Sequence, residues 1–218
     1  MDMLEKAPDA LGRRETNRIR NRNAILLAAR ECFREKGYDN STIRDIVRKT
    51  GLAAGTFYNY FSSKQDIFAA LLTDFLDRLN LNLTRYRKTA VTGGGFIESA
   101  YLALFRATAE DPLVYELAHR NDHAIRELFG SDILGLAMLS LEDDIRDAVA
   151  RGLLPNVDQE YLCAAFFGVA YEMGLRVALR SRSAYGTRTR PPEEEAQAAA
   201  QFAATLLLGG LAQLDTLS

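Results

Sequence analysis

The sequence predicts an all-α protein. An N-terminal three-helix helix-turn-helix domain is joined through a long fourth helix to a helical body, about nine helices in all. Three observations predict it. Apolar residues recur at helical spacing, as in Ile25, Ala28, Ala29, Cys32, Phe33 and again in Phe68, Leu71, Leu72, Phe75, Leu76, Leu79. Glycines at 37, 51, 130 and 152 close segments of helical length. The stretch Ser41–Lys64, STIRDIVRKTGLAAGTFYNYFSSK, reads as two short helices around a glycine turn and the entry to a third.

Composition sets the bounds. The 218 residues are 48% hydrophobic and 26% charged, ordinary for a globular protein with ample core. The net charge of −2 hides an asymmetry: residues 1–68 carry 13 Lys and Arg against 9 Asp and Glu, and residues 69–218 carry 14 against 20. A basic head on an acidic body suits local phosphate contact. Cys32 and Cys163 lie far apart among apolar neighbours and read as buried reduced thiols. Met1 to Arg14 has no apolar signal-peptide region, and the longest apolar run, Tyr161 to Tyr171, is about half a membrane span. A cytoplasmic location is expected.

Taken in order, residues 1–15 read as a flexible basic arm ending in Arg13-Arg14. Arg18, Arg20 and Arg22 continue the cluster, and such arms follow phosphates or enter a minor groove. Helix 1 spans about Thr16 to Lys36, with Tyr38 packed beneath the next two helices. In helix 2, Ile43, Ile46 and Val47 form the apolar face, Thr42 and Asp45 have capping-box spacing, and Gly51 sits where a left-handed residue is needed. Helix 3 is expected over Ala54–Phe61, with Phe57 and Phe61 turned to the core. That leaves Thr56, Asn59 and Tyr60 outward and Tyr58 to one side. Asn59 suits adenine, Thr56 a thymine methyl or a phosphate, and the two tyrosine hydroxyls phosphates; Arg44 has the reach for guanine or phosphate.

Gly37-Tyr38, Ser41 to Ile46, Gly51-Leu52, Gly55 to Tyr58 and Tyr60 to Lys64 together resemble the DNA-binding domain of the TetR family of bacterial transcriptional regulators. The resemblance covers roughly residues 16 to 72. It implies DNA contacts from the positions of Thr42, Arg44, Ala53, Thr56, Tyr58, Asn59, Tyr60 and Lys64. One departure matters: Ala53-Ala54 stands where a serine–lysine pair is frequent, so two polar phosphate contacts are missing and an alanine methyl would face DNA. The division that follows is an arm (1–15), a helix-turn-helix DNA-binding domain (16–64) and a ligand-binding and dimerisation domain (65–218).

Helix 4 opens at Ser62-Ser63-Lys64, with capping spacing from Ser62 to Gln65 or Ser63 to Asp66, and continues to about Tyr86–Lys88. One rod therefore serves both head and body. Thr92-Gly93-Gly94-Gly95 reads as a flexible loop. Helix 5 follows over Phe96–Ala109, helix 6 over Leu113–Asn121 behind Asp111-Pro112, a turn or short helix over His123–Phe129, and helix 7 over Asp132–Arg151. Helix 8, about Asp158 to Arg182, is apolar on every side from Tyr161 to Tyr171, as a helix buried all round would be. Ser183 to Arg190 is a polar loop. Helix 9 starts at Pro191-Pro192 with three glutamates and is expected to end near Leu208, before Gly209-Gly210; its alanines offer a flat packing face. Helices 8 and 9 of two chains would form a four-helix homodimer interface, as the resemblance also implies.

Candidates for a ligand pocket in the body are Tyr101, Phe105, Tyr115, Phe129, Met138, Phe166, Tyr171 and Met173, with His119 as a polar contact. His119 and His123 are four apart, but Asn121-Asp122 breaks the helix between them and no cysteine is near, so no metal is assigned. Glu172 and Arg176 have the spacing to pair. No GxSxG, CxxC, HExxH or phosphate-binding glycine loop is present, and no cofactor or catalytic residue is assigned.

The expected function is a dimeric DNA-binding regulator, a repressor released from a near-palindromic operator by a hydrophobic small molecule. Two alternatives stay open: a helical module whose helix-turn-helix binds protein, and a DNA-binding regulator whose body senses a partner protein.

Overall fold

The computed structural model describes residues 7–121, 133–182 and 190–214. The turn expected over His123–Phe129 and most of the loop after helix 8 lie outside them. The described residues form α-helices and no strand: α1 Ala7–Lys36, α2 Ile43–Thr50, α3 Ala54–Tyr58, α4 Lys64–Thr89, α5 Gly93–Glu110, α6 Pro112–Arg120, α7 Ile133–Ala150, α8 Gln159–Ser181 and α9 Pro192–Leu214. The chain divides into two compact units, Met1–Leu71 and Leu72–Ser218, so the division falls inside α4 rather than at its start.

In the first unit, Ile25, Ala29, Cys32 and Phe33 of α1 are buried together with Ile46 of α2, Phe57 of α3, and Ile67 and Phe68 of α4. Tyr38 is the keystone, its ring 5.3 Å from Phe33 and 5.1 Å from Phe68. Burying each of these aromatic side chains contributes about 1.5–3 kcal/mol. The expected arm is helical from Ala7. Pro8 stands in the first turn, where its missing amide costs nothing, and the alanine, leucine and charged residues after it are good helix formers. α3 is shorter than expected and ends at Tyr58. Asn59 and Tyr60 donate their amides to Thr56 and Phe57 in tighter i to i−3 bonds, which ends the helix before the next cap begins.

In the second unit, α8 packs against α5, α6, α7 and α9. Its buried side carries Leu162, Cys163, Phe166, Val177 and Ala178. By length and composition α8 could also cross a membrane, but in this fold it is a core helix of the second unit. It is not buried all round: Tyr161, Ala164, Ala165, Gly168, Glu172 and Arg176 lie exposed along one side of the single chain. The alanine face of α9 is also spoken for. Ala196, Ala199, Ala200, Ala203 and Ala204 are buried and join the same hydrophobic core as the inner side of α5. Their small side chains let the two helix backbones approach.

Three further expectations change. The glycine run is not a loop: Gly93, Gly94 and Gly95 form the first turn of α5, capped by the Thr92 hydroxyl, which accepts from the Gly95 amide at 3.1 Å. A Cβ on Gly93 would stand 2.1 Å from the Leu153 carbonyl oxygen, so only glycine lets α5 begin there. α9 does not stop at Gly209-Gly210 but runs through to Leu214. Two helical glycines cost about 1 kcal/mol each. Burial of Leu211, 6% exposed, offsets this with about 1.5–3 kcal/mol. Finally, Glu172 Oε1 lies 4.0 Å from His119 Nε2 rather than on Arg176. An exposed i, i+4 pair gains only about 0.3–0.5 kcal/mol, too little to hold it there.

Candidate DNA interface and ligand cavity

The helix-turn-helix is fixed by local chemistry. The Thr42 hydroxyl accepts from the Asp45 amide at 3.2 Å, and Asp45 Oδ2 accepts from the Thr42 amide at 3.1 Å, a complete capping box. Lys36 Nζ donates to Asp45 Oδ1 at 2.7 Å, tying α2 to the end of α1. That bond, followed by those from Thr42, holds the Asp45 carboxyl well below the ordinary carboxylate range. Gly51 closes α2 at φ 67°, the left-handed conformation that glycine adopts without strain. The Thr50 hydroxyl receives the Leu52 amide at 3.1 Å and so pins the turn.

Phe57, fully buried, anchors α3. Around it, Ala53, Ala54, Tyr58 and Asn59 are exposed and Thr56 is half-buried. Tyr58 is 57% exposed, and Phe57 meets its ring edge-on at 5.5 Å. Arg44 is exposed on α2, and Arg13, Arg14 and Arg18 are exposed on α1. These tips can meet phosphates and base edges.

The remaining expected contacts have internal duties. The Thr42 hydroxyl is engaged twice by Asp45. Lys64 Nζ donates to the carbonyls of Tyr38 at 2.7 Å and Asp39 at 3.2 Å and stands 4.3 Å from the Tyr38 ring centre. It braces the start of α4 against the α1–α2 connection. The Tyr60 hydroxyl accepts from Asn21 Nδ2 at 3.3 Å and keeps its own proton. Asn21, and Arg22 with its guanidinium 5.8 Å from the Phe61 ring centre, were not singled out in the sequence for these roles. Such pairings between α1 and the α3–α4 connection are long-range and have no local signature.

The second unit holds a partly open cavity of about 470 Å³, within the range of small-molecule sites. α4 supplies Phe75, Leu76, Leu79, Asn80, Leu83, Thr84 and Tyr86. α5 and α6 supply Phe96, Ala100, Tyr101, Leu104 and Tyr115. Leu141 and Asp144 come from α7, and Phe166, Phe167, Ala170 and Tyr171 from α8. Of the sequence candidates, Tyr101, Tyr115, Phe166 and Tyr171 therefore line it. Phe105 does not: it is fully buried in the core, stacked on Tyr101 at 5.6 Å. Met173 packs against the hydrophobic core instead. His119 is stacked at 4.1 Å on Tyr171 and lies off the cavity wall. Phe129 and the Met138 side chain lie outside the described residues, as does His123, so the histidine pair is not assembled among them. The α4 wall was missed as a ligand surface because its stripe reads simply as core.

Two tyrosine hydroxyls of the wall are turned inward to α8. Tyr101 donates to the Phe166 carbonyl at 3.0 Å and Tyr115 to the Tyr171 carbonyl at 3.0 Å. Burial pushes both phenols well above their usual value, so both remain protonated donors.

Residues 25–71 match the family model described as bacterial regulatory proteins, tetR family. Through this segment the chain carries a TetR-family DNA-binding domain. The family is one of transcriptional regulators rather than enzymes. Over 150 residues it is 27% identical to the HTH-type transcriptional activator FasR of Mycolicibacterium smegmatis, covering 67% of this chain and 68% of that one. It is equally 27% identical over 150 residues to the HTH-type transcriptional repressor AcnR of Corynebacterium glutamicum, with coverages of 69% and 71%. Its fold is similar to the crystal structure of a TetR-family regulator from Syntrophomonas wolfei, at a TM-score of 0.68 and 23% identity, covering 88% of this chain and 96% of that one.

Proposed function

We propose that this TetR-family regulator is a homodimeric repressor that binds a near-palindromic operator and leaves it when a hydrophobic small molecule fills the cavity of the second unit. The observation that carries the reading is the pairing of α3, fixed by buried Phe57 with Tyr58 and Asn59 exposed, with a 470 Å³ apolar cavity in the same chain. In this reading Arg44, Thr56, Tyr58, Asn59 and Tyr60 face the operator, Ala53 and Ala54 give apolar contact, and Arg13, Arg14 and Arg18 follow phosphates. Thr42 and Lys64 act by holding α2 and α4 in place.

The dimer is supported by the exposed apolar sides of α8 and α9. Tyr161 is 76% exposed, and Phe202 and Leu206, one turn apart, are 64% and 57% exposed. Ala164, Ala165 and Gly168 alongside would permit close helix approach. A dimer would present two α3 helices to half-sites about one turn of DNA apart. The link to the ligand is α4, which contributes cavity wall from Phe75 to Tyr86 and begins at Lys64 in the first unit. A ligand that binds more tightly to a displaced α4 lowers the population that fits the operator. Such a regulator acts in the compartment that holds the DNA.

Duplexes selected from a random pool, followed by a mobility shift, test the reading. The wild type should retain a dyad-symmetric duplex, and a Tyr58→Phe/Asn59→Ala variant should lose it while melting at the wild-type temperature. Equal retention by the variant would overturn the assignment of α3.

A further inference from the structure

We infer that the effector is an amphiphile, an apolar body ending in a group that both donates and accepts hydrogen bonds, and that Asn80 and Thr84 of α4 read that end. The inference rests on the cavity being the ligand site and names how the site chooses and orients its ligand. The wall is graded by depth. Phe75, Phe96, Tyr101, Tyr115 and Phe166 are buried and give the interior its aromatic surface. Asn80 and Thr84 also line the cavity but are exposed, so they stand where it meets solvent. They are one helical turn apart, on the same side of α4 as Leu76 and Leu83.

These two side chains differ from the other polar groups of the wall in being unspent. Tyr101 and Tyr115 donate to carbonyls of α8. The Tyr86 hydroxyl accepts from Arg106 Nη1 at 3.2 Å, and Asp144 and Tyr171 are engaged within the chain. The Asn80 and Thr84 side chains make no hydrogen bond among the described residues. An asparagine amide offers two donors and an acceptor, and a threonine hydroxyl both donates and accepts. A ligand hydroxyl or carboxamide at the mouth is therefore met in both senses. A hydrocarbon end there would strip water from the same groups and return no bond. A few placed polar groups on a largely apolar wall are what orient a bound molecule, here with its apolar end inward.

The test uses two isomers of equal size, decan-1-ol and 1-methoxynonane, of which the alcohol donates and accepts and the ether only accepts. The full-length protein is titrated calorimetrically into each dissolved probe at neutral pH. The wild type should prefer the alcohol by about fivefold or more. An Asn80→Leu/Thr84→Val variant should bring the alcohol down to the level of the ether, and Thr84→Ser, which keeps the hydroxyl, should retain the preference. Ala100→Phe, which fills the cavity, should block both isomers. Binding that Ala100→Phe blocks, but with no preference for the alcohol, would sink the assignment of Asn80 and Thr84 and leave the cavity reading standing. So would a preference that survives in the double variant. Failure of both isomers to bind, or binding that Ala100→Phe leaves undisturbed, would overturn the inference and the cavity reading together.

Discussion

The two units use the same polar side chains in opposite ways. In the first, Tyr58 and Asn59 hold their polar ends out to solvent from a helix whose only deep anchor is Phe57. In the second, Tyr101 and Tyr115 turn their hydroxyls back onto carbonyls of α8 and offer the cavity mainly ring surface. A surface that must read hydrogen-bonding edges keeps its donors unspent. A cavity that must accept an apolar body can spend donors within its own wall, as Tyr101 and Tyr115 do. The contrast teaches that tyrosine content alone does not mark a binding surface; the destination of the hydroxyl does.

The largest way to break this comparison is to remove the anchor. Phe57→Ala should destabilise the first unit by about 3–5 kcal/mol. Circular dichroism would then show a lowered thermal transition, and DNA binding would vanish with it. A variant that still binds DNA with a wild-type melt would show that α3 is held by something else. Next comes the backbone approach at the start of α5. Gly93→Ala places a methyl 2.1 Å from the Leu153 carbonyl oxygen, and overpacking of this kind costs about 1–3 kcal/mol, read in urea unfolding. The equivalent change at exposed Gly209 should be neutral or slightly stabilising, because helical alanine is favoured over glycine.

A smaller effect sharpens the inward role of the hydroxyls. Tyr101→Phe should cost about 1 kcal/mol through the lost bond to the Phe166 carbonyl. It should barely change the affinity of an apolar probe. A large loss of probe affinity would mean that the hydroxyl serves the ligand after all. Thr42→Ala, which removes a cap, should likewise cost about 1 kcal/mol.

The smallest effect is a pH dependence. The Asp45 carboxyl is held below the ordinary range, first by Lys36 and then by Thr42. A depressed value means that its contribution to stability is complete above the unfolded value of about 3.9 and is lost as pH falls through the folded one. The melting-temperature gap between wild type and Asp45→Asn should therefore be constant from pH 5 to 8, as order-of-magnitude bounds, and close below about pH 4. A gap that instead opened on acidification would reverse the sign of this account.

What the sequence made legible follows the same division. Thr42, Asp45, Gly51, Phe57 and Tyr38 sit where spacing and turn chemistry place them, because caps and turns are set by neighbours a few residues away. Spacing could not reveal that Lys64 reaches back to Tyr38 and Asp39, 26 and 25 residues earlier. In the body, spacing alone does not sort the aromatic candidates. Tyr101 and Phe105 are four apart on one helix, yet one faces the cavity and the other the core, a difference that depends on what packs opposite. The glycine run at 93–95 misled for the same reason: local propensity says loop, and the close approach of Leu153 says helix.

The most direct test is a footprint on a duplex selected from a random pool, with wild type and the Tyr58→Phe/Asn59→Ala variant compared at equal folded concentration. Two protected half-sites related by a dyad, centred about one helical turn apart and lost in the variant, are the predicted result. A single asymmetric protection, or one that the variant leaves unchanged, would contradict it.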